Sequence, residues 1–143
     1  MRLLIHGLNF APELTGIGKY TGEMAAYLEN HGYEVRVITT PPYYPHWKVQ
    51  PGYSGRSYRR ETDQGVRILR CPLLVPRQPT GIKRILHLLS FAFSSFPAML
   101  SQLSWRPHLV MSIAPAFACA PFSLLTARLA RSRAWLHIQD FEV

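Results

Sequence analysis

Residues 2–40 read RLLIHGLNFAPELTGIGKYTGEMAAYLENHGYEVRVITT, and this stretch decides the fold. Its hydrophobic pattern predicts a strand over Arg2–His6, a helix over Lys19–Asn30 and a second strand over Glu34–Thr39. Gly32 ends the helix. A strand followed by a helix and a parallel strand is the unit of open α/β sheets, which bind ligands beyond the carboxyl ends of their strands.

The rest of the chain continues this alternation. The pattern predicts strands over Val66–Arg70, Leu109–Ile113 and Ala134–Ile138, and helices over residues 82–104, bent or broken at Pro97, and over Phe117–Ala130. Residues 41–64 have no regular pattern and are too many for an ordinary connection, which indicates a functional or mobile loop. We expect one α/β domain with a Rossmann-like open parallel sheet and helices on both faces. Because the pattern stops just after a strand, we expect half of a larger unit.

Composition and charge narrow the class of protein. With 143 residues, 48% of them hydrophobic, the chain can bury a sizeable core, which argues against disorder. Cys71 and Cys119 lie in apolar surroundings and no secretory signal precedes them, so we expect reduced thiols in a cytoplasmic protein. The net charge of +8 predicts attraction to phosphate, nucleic acid or an anionic membrane. Eight of the 16 basic residues lie between positions 56 and 84.

Residues 85–104 carry no formal charge and follow Lys83 and Arg84. Their number is close to that of a membrane span, but serines dilute the apolar character and Pro97 interrupts it. We therefore expect a partly exposed helix that lies on the bilayer surface next to the basic stretch. The alternative is a helix buried against the sheet.

Gly16-Ile17-Gly18 precedes the predicted first helix and is a candidate anion site, with Lys19 beside it. The spacing does not fit a phosphate-binding P-loop, and Thr21 stands where the dinucleotide pattern requires its third glycine. A looser glycine loop, in which helix-start amides bind a phosphate, remains open. The alternative is that these glycines only shape a turn.

Several separated stretches together resemble one family. They are His6–Met24, Pro41–Pro45, Cys71–Leu73, Val75-Pro76, Gln78-Pro79 and Leu136–Glu142. In this order they resemble the amino-terminal domain of retaining GT-B glycosyltransferases, closest to the colanic acid biosynthesis branch. The resemblance covers essentially the whole chain, residues 1–143, and implies the acceptor-side half of a GT-B fold, the carboxyl-terminal donor domain being absent.

The resemblance also implies an activity. Such enzymes move a sugar from a nucleotide-sugar donor, here with GDP-fucose as the suggested donor, to a saccharide acceptor that is lipid-linked, in bacterial exopolysaccharide synthesis. The resemblance implies no metal and no other cofactor. It also implies that the isolated chain is inactive, and that the protein is cytoplasmic and peripheral on the inner face of the cell membrane. Retention of configuration implies that the diphosphate leaves from the same face of the sugar that the acceptor attacks. Fixed hydrogen-bond donors are therefore needed near the diphosphate.

Site residues are assigned on the residues and the resemblance together. Gly16, Gly18 and Lys19 are candidates for the donor diphosphate; His6, Tyr43, Tyr44 and Trp47 for the acceptor; and Asp140 for a catalytic contact to an acceptor hydroxyl. The aromatic rings can cover an apolar sugar face or only pack their loop onto the domain. Gln139 stands where many relatives have a histidine, so a histidine contact to the donor sugar is in doubt. Asp140 equally suits a helix cap.

Two other classes of protein fit parts of the sequence. A basic membrane- or nucleic-acid-binding module would use the basic residues interleaved with tyrosine at Arg56, Tyr58, Arg59 and Arg60. No recognised nucleic-acid module accompanies them, so we expect no nucleic-acid partner. A nucleotide-binding oxidoreductase domain would need an acidic residue at the end of the second strand, where Thr39 and Thr40 stand.

Overall fold

The computed structural model describes residues 1–114 and 117–139. The main elements are β1 (Arg2–His6), α1 (Gly16–Asn30), β2 (Glu34–Thr39), β3 (Arg59–Asp63), β4 (Val66–Arg70), α2 (Gly81–Ser101), β5 (Leu109–Ala114), α3 (Ala120–Ala130) and β6 (Arg133–Ile138). One sheet holds the six strands in the order β3-β4-β2-β1-β5-β6. The five neighbouring strands β4, β2, β1, β5 and β6 are parallel to one another, which confirms the predicted open α/β sheet.

The sheet is mixed because β3, inside the segment predicted to be irregular, runs antiparallel to β4. That prediction was wrong for Arg59–Asp63. The strand reads RRETD, and its charged side chains hide the alternation that marks a half-buried strand. Gln64 and Gly65 both have positive φ, 48° and 84°, as a two-residue hairpin turn requires. The Gln64-Gly65 pair was the sequence signal from which the turn of this hairpin could have been predicted.

Two helix predictions also need correction. Helix α1 begins at Gly16 rather than Lys19, so both glycines of the candidate anion site belong to its first turn. Helix α2 is one continuous helix that contains Pro97. Proline removes one backbone hydrogen bond, but Phe91 and Met99 on either side are fully buried and hold the helix against the sheet.

Helices cover both faces of the sheet, as predicted. On one face α1 packs Ala25 against Leu3, Ile5, Val35, Val37, Val66 and Ile68. On the other face α2 and α3 pack Phe91, Met99 and Ala127 against Leu4, Ile38 and Val110. The alternation of Leu3, Leu4 and Ile5 between the two clusters follows from the period of two in a strand.

Both cysteines are fully buried free thiols in the same hydrophobic cluster, on the face of the sheet that α2 and α3 cover. Burial raises the pKa of Cys71 and of Cys119 to about 12. In the part of the chain that the structure describes, no three His, Cys, Asp or Glu side chains are grouped as metal ligands. The thiols are therefore core residues.

Arg70 belongs to the basic stretch of residues 56–84 but does not lie on the protein surface. Its side chain is only 2% exposed, and Nε donates to Glu61 Oε1 over 2.6 Å. The two terminal nitrogens donate to the carbonyls of Thr40, over 2.8 Å, and Ala11, over 2.6 Å. Arg70 thus ties β3 to the two loops that leave β1 and β2.

Candidate functional site

The glycine loop, residues 7–15, connects the carboxyl end of β1 to α1. Thr15 occupies the N-cap position in extended conformation, and within the described residues its side chain makes no capping bond. The first-turn amides have no acceptor within their own helix. Together with the partial positive charge of a helix start they suit an anionic ligand.

Glu13 holds the glycine loop against the loop that follows β2. It is 2% exposed, and its Oε1 accepts the backbone N–H groups of Tyr43, over 3.1 Å, and Tyr44, over 3.0 Å. Oε2 accepts from Asn9 Nδ2 over 3.0 Å. Burial raises the pKa of Glu13, while these donors and the charge of Arg70 oppose the rise. Since all three partners donate, the carboxylate is the form that fits.

Gly16 and Gly18 are required for different reasons. A Cβ on Gly18 would lie 2.5 Å from Glu13 Oε2, so Gly18 is needed for the close approach of α1 to Glu13. Gly16 has φ of +60°, and a Cβ there would meet only Tyr44 Cε1, at 3.9 Å. Gly16 therefore borders open space beside Tyr44, where a ligand can approach the backbone.

The three aromatic candidates of the 41–47 loop occupy different environments. Tyr43 is 4% exposed, and its hydroxyl bonds to His87 Nε2 over 3.0 Å, so it belongs to the core. Trp47 is half-buried, with its ring 5.5 Å from Tyr43 and 5.1 Å from His87. Tyr44 is 40% exposed beside Gly16. Tyr44 and one side of Trp47 are thus the rings that a sugar can reach.

His6 lies in the interior. Its Nδ1 is 2.7 Å from Ser123 Oγ and its Nε2 is 2.9 Å from Ser95 Oγ, which links β1 to both helices of that face. Ser95 Oγ donates to the Ala92 carbonyl, so Nε2–H donates to Ser95 and Nδ1 accepts from Ser123. Burial lowers the pKa of His6 to about 3. With no exposed surface, His6 has no access to an acceptor in this arrangement.

Lys19 lies on the solvent side of α1. It is 4.0 Å from Glu23 and lines an open groove of about 410 Å³ between α1 and the β3–β4 hairpin. Asp63 and Gln64 line the far side of that groove. The structure therefore does not bring Lys19 to the Tyr44 side of Gly16.

The end of β6 approaches α1 through Gln139. Its Nε2 donates to Thr21 Oγ1 over 3.0 Å, while its buried Oε1 has no hydrogen-bond partner among the described residues. Asp140, the predicted catalytic contact, lies outside the described residues. Gln139 is a candidate site residue that sequence reasoning treated only as the replacement of a histidine, and its amide oxygen can accept from a ligand hydroxyl.

A basic cleft of about 620 Å³ opens next to Trp47. Its cations are Lys48, Arg56 and Arg77, and the described residues that line it include no carboxylate. Leu74 forms part of the wall, and its carbonyl is 2.6 Å from His87 Nδ1 of α2. The cleft thus joins one aromatic ring, three cations and the first part of α2. Of these cations, the sequence pointed only to Arg56, as part of the alternative basic binding module.

Helix α2 exposes apolar side chains away from the sheet. This apolar stripe consists of Ile82, Ile85, Leu86, Leu89 and Phe93, which are 39% to 74% exposed. By length and composition alone, the helical stretch Gly81–Trp105 could cross a membrane. Its opposite side, with Phe91 and Met99, is fully buried in the domain. The sequence expectation of a partly exposed helix, rather than one wholly buried, agrees with this placement.

Comparison with known proteins supplies the family. The family model for the glycosyl transferase 4-like domain matches residues 15–142. The chain therefore belongs to the glycosyl transferase 4-like family, which confirms the resemblance seen in the motifs. A candidate colanic acid biosynthesis glycosyl transferase of Escherichia coli strain K12, WcaI, is 52% identical over 143 residues. The match covers 100% of this chain and 35% of that relative's length.

Proposed function

We propose that this chain forms the acceptor-side domain of a retaining glycosyltransferase that builds a bacterial exopolysaccharide. The donor is a nucleotide sugar, and the acceptor is a saccharide linked through phosphate to a lipid. Family membership and the likeness to WcaI support sugar transfer. Because the chain spans 35% of that relative, the reaction belongs to a longer protein, of which this chain supplies part of the site.

The basic cleft is the observation that carries the acceptor assignment. Lys48, Arg56 and Arg77 suit the phosphate groups of a lipid-linked saccharide, and Trp47 offers an apolar ring for a sugar face. The apolar stripe of α2 begins at Ile82, five residues after Arg77, where it can meet the lipid or the bilayer surface. These features support the proposal that the protein is peripheral on the cytoplasmic face of the membrane.

The glycine loop is assigned to the leaving diphosphate of the donor. The amides at the start of α1 and the open space beside Gly16 support this assignment. Glu13 positions Tyr44 at that opening through the backbone of the aromatic loop. In comparable preorganised sites, each fixed hydrogen-bond donor near the developing charge stabilises the transition state by about 3 kcal/mol. Asp140 and Gln139 remain the candidates for contacts to sugar hydroxyls.

A chimeric enzyme tests the proposal. The part of WcaI that matches this chain is replaced by the chain, and transfer of labelled sugar to a lipid-linked saccharide is measured, with GDP-fucose as the first donor. We expect transfer by the chimera and a loss of about tenfold or more when Lys48 and Arg56 are both replaced by Ala, because phosphate contacts are lost. The matched control is Arg128→Ala, an exposed cation of α3.

Three results bear on the outcome. Full transfer by the Lys48→Ala and Arg56→Ala double variant would remove the basic cleft from the acceptor site. An equal loss with Arg128→Ala would mean that overall charge, rather than the cleft, is responsible. Absence of transfer with every nucleotide sugar offered, from a folded chimera that binds lipid-linked saccharide, would contradict the transferase assignment itself.

A further inference from the structure

A third cavity lies on the sheet face that α2 covers only in part. It measures about 470 Å³ and opens over β2, β4 and β3, beside the last turn of α2. Its lining includes the apolar side chains of Ile38 and Leu69 and the amide of Gln102. It shares no lining residue with the basic cleft or with the groove beside the glycine loop. This cavity is therefore separate from the site described above.

Three arginines line the cavity, which we call the arginine pocket: Arg36 on β2, Arg67 on β4 and Arg60 on β3. Arg36 and Arg67 are direct partners in the parallel ladder, and like charges placed opposite each other repel. Glu61 also borders the pocket, but its carboxylate bonds Arg70 and Arg59. It therefore does not neutralise the three guanidinium groups.

Arg36 is fixed in place without using all its donors. Its guanidinium lies 4.2 Å from the centre of the Trp105 ring, and one terminal nitrogen donates to Gln102 Oε1 over 2.9 Å. Its Nε is buried and has no hydrogen-bond partner among the described residues. The carboxylate of Glu34 accepts from Trp105 Nε1 and faces Arg2 Nε at 3.8 Å.

Burial lowers the pKa of Arg36, and the charge of Arg67 lowers it further, while the charge of Glu34 opposes the decrease. An anion between the two strands would relieve this repulsion and supply the acceptor that Arg36 Nε lacks. Unpaired buried donors are costly, so a protein seldom keeps one without a ligand or a water.

We propose that the arginine pocket binds a phosphate group, carried by a soluble phosphate ester or by an anionic lipid. Guanidinium groups present paired N–H donors in a plane, and a phosphate offers several oxygens to more than one of them at once. The volume of the pocket leaves room for a group attached to the phosphate. The apolar stripe lies on the same helix as Ser101, which borders the pocket, so a lipid headgroup is one source.

Titration of the ¹⁵N-labelled chain with inorganic phosphate tests this assignment, at an ionic strength held constant with sodium chloride. The signals to follow are Arg36 Nε–H and the indole N–H of Trp105. We expect a saturable shift of both signals, because the phosphate occupies the position next to Arg36 Nε. Arg60→Gln and Arg67→Gln should each weaken phosphate binding about tenfold through loss of a charge-assisted bond. Both side chains are exposed, and an unchanged melting temperature verifies the fold.

Arg128→Gln, on the far helix α3, is the matched control and should bind phosphate like the unaltered chain. Shifts that never saturate, or an equal weakening by Arg128→Gln, would overturn the proposal. Sedimentation with phosphatidylglycerol and phosphatidylcholine vesicles then identifies the source. A lipid headgroup is indicated if Arg60→Gln and soluble phosphate both release the chain from phosphatidylglycerol, and a soluble ester is indicated if neither does while the saturable shift persists.

Discussion

A single buried carboxylate, that of Glu13, connects the two loops of the candidate site. Its oxygens accept two backbone amides and one side-chain amide, all from residues in those loops. The contact spans 30 residues in sequence between Glu13 and Tyr43. Loops with few apolar contacts depend on such bonds for a fixed shape.

Replacement of Glu13 measures that dependence. Glu13→Ala should lower the free energy of unfolding by about 3 kcal/mol, because two buried N–H groups lose their acceptor. Glu13→Gln should cost about 1 kcal/mol or less, since its carbonyl oxygen can still accept and the Asn9 amide can rotate to present oxygen. Urea denaturation gives both values. The control is Glu23→Ala, an exposed carboxylate; a cost for Glu13→Ala no larger than for this control would contradict the role.

Gly18 provides a coupled test. Gly18→Ala should destabilise the fold by about 2 kcal/mol, although alanine favours helices, because its Cβ would overlap Glu13. In the Glu13→Ala background this penalty should become smaller without vanishing, because the overlap with the carboxylate oxygen at 2.5 Å is removed whereas the Cβ of residue 13, at 2.8 Å, remains. Gly16→Ala should instead cost about 1 kcal/mol in both backgrounds, owing to its left-handed backbone. Penalties for Gly18→Ala that are equal in the two backgrounds, again from urea denaturation, would refute the coupling.

At the scale of single residues, the sequence predicted less of the site than of the fold. The glycines were found from their position before a helix, but Tyr43 and His6 were offered as ligand contacts and both are buried. Nothing local distinguishes Tyr43 from Tyr44, since the difference arises from His87 on a distant helix. Glu13 was missed for the same reason, because an isolated carboxylate in a loop is usually solvated.

At the scale of elements, α2 has two faces with different roles. Ile85→Ser combined with Leu89→Ser should leave the melting temperature nearly unchanged, because both residues are exposed. The same change should reduce binding to phosphatidylglycerol vesicles about tenfold or more through loss of buried apolar surface. Added salt should weaken binding of the unaltered chain. Vesicle sedimentation and thermal denaturation provide the two measurements.

Phe91→Ser, on the buried face of α2, is the contrasting variant and should unfold the domain, since Phe91 has no exposed surface. If the Ile85→Ser and Leu89→Ser variant sediments with vesicles as well as the unaltered chain does, the apolar stripe does not contact the bilayer. Equal binding to neutral and anionic vesicles would remove the electrostatic contribution.

The elements themselves were largely predictable because apolar periodicity is a local property. Buried strands such as β1 and β5 contain runs of three consecutive apolar residues, and α1 has a clear stop at Gly32. Strand β3 was missed because its stability comes from pairing with β4 and from the bond between Glu61 and Arg70, neither of which is visible in RRETD. Edge strands with charged side chains are a common exception to the periodic rule.

For the whole molecule, the neutral state of His6 predicts how stability depends on pH. Its pKa is lowered to about 3 in the fold, against 6.5 when unfolded, so between these values only the unfolded chain binds the extra proton. The His6 contribution is therefore fully present above pH 6.5 and is lost as pH falls, with a slope approaching 1.4 kcal/mol per pH unit. Urea denaturation at several pH values measures this slope.

His6→Gln removes this titration while it keeps one donor and one acceptor for the two serines, so the slope should largely vanish. His31→Gln, at an exposed position, should leave the slope as it is. Glu13 acts in the opposite sense, because its raised pKa makes stability fall as pH rises above 4.5. An unchanged slope in His6→Gln would show that other groups cause the acid sensitivity.

The reactivity of the two buried thiols reports on local unfolding of the domain. At neutral pH, Cys71 and Cys119 are neither ionised nor accessible, so an alkylating reagent can modify them only in molecules that have opened. Cys71 directly follows β4, and Cys119 directly precedes α3. Because both thiols belong to one core cluster, the order in which they acquire label reveals whether the end of β4 or the start of α3 leaves that cluster first, without any introduced probe.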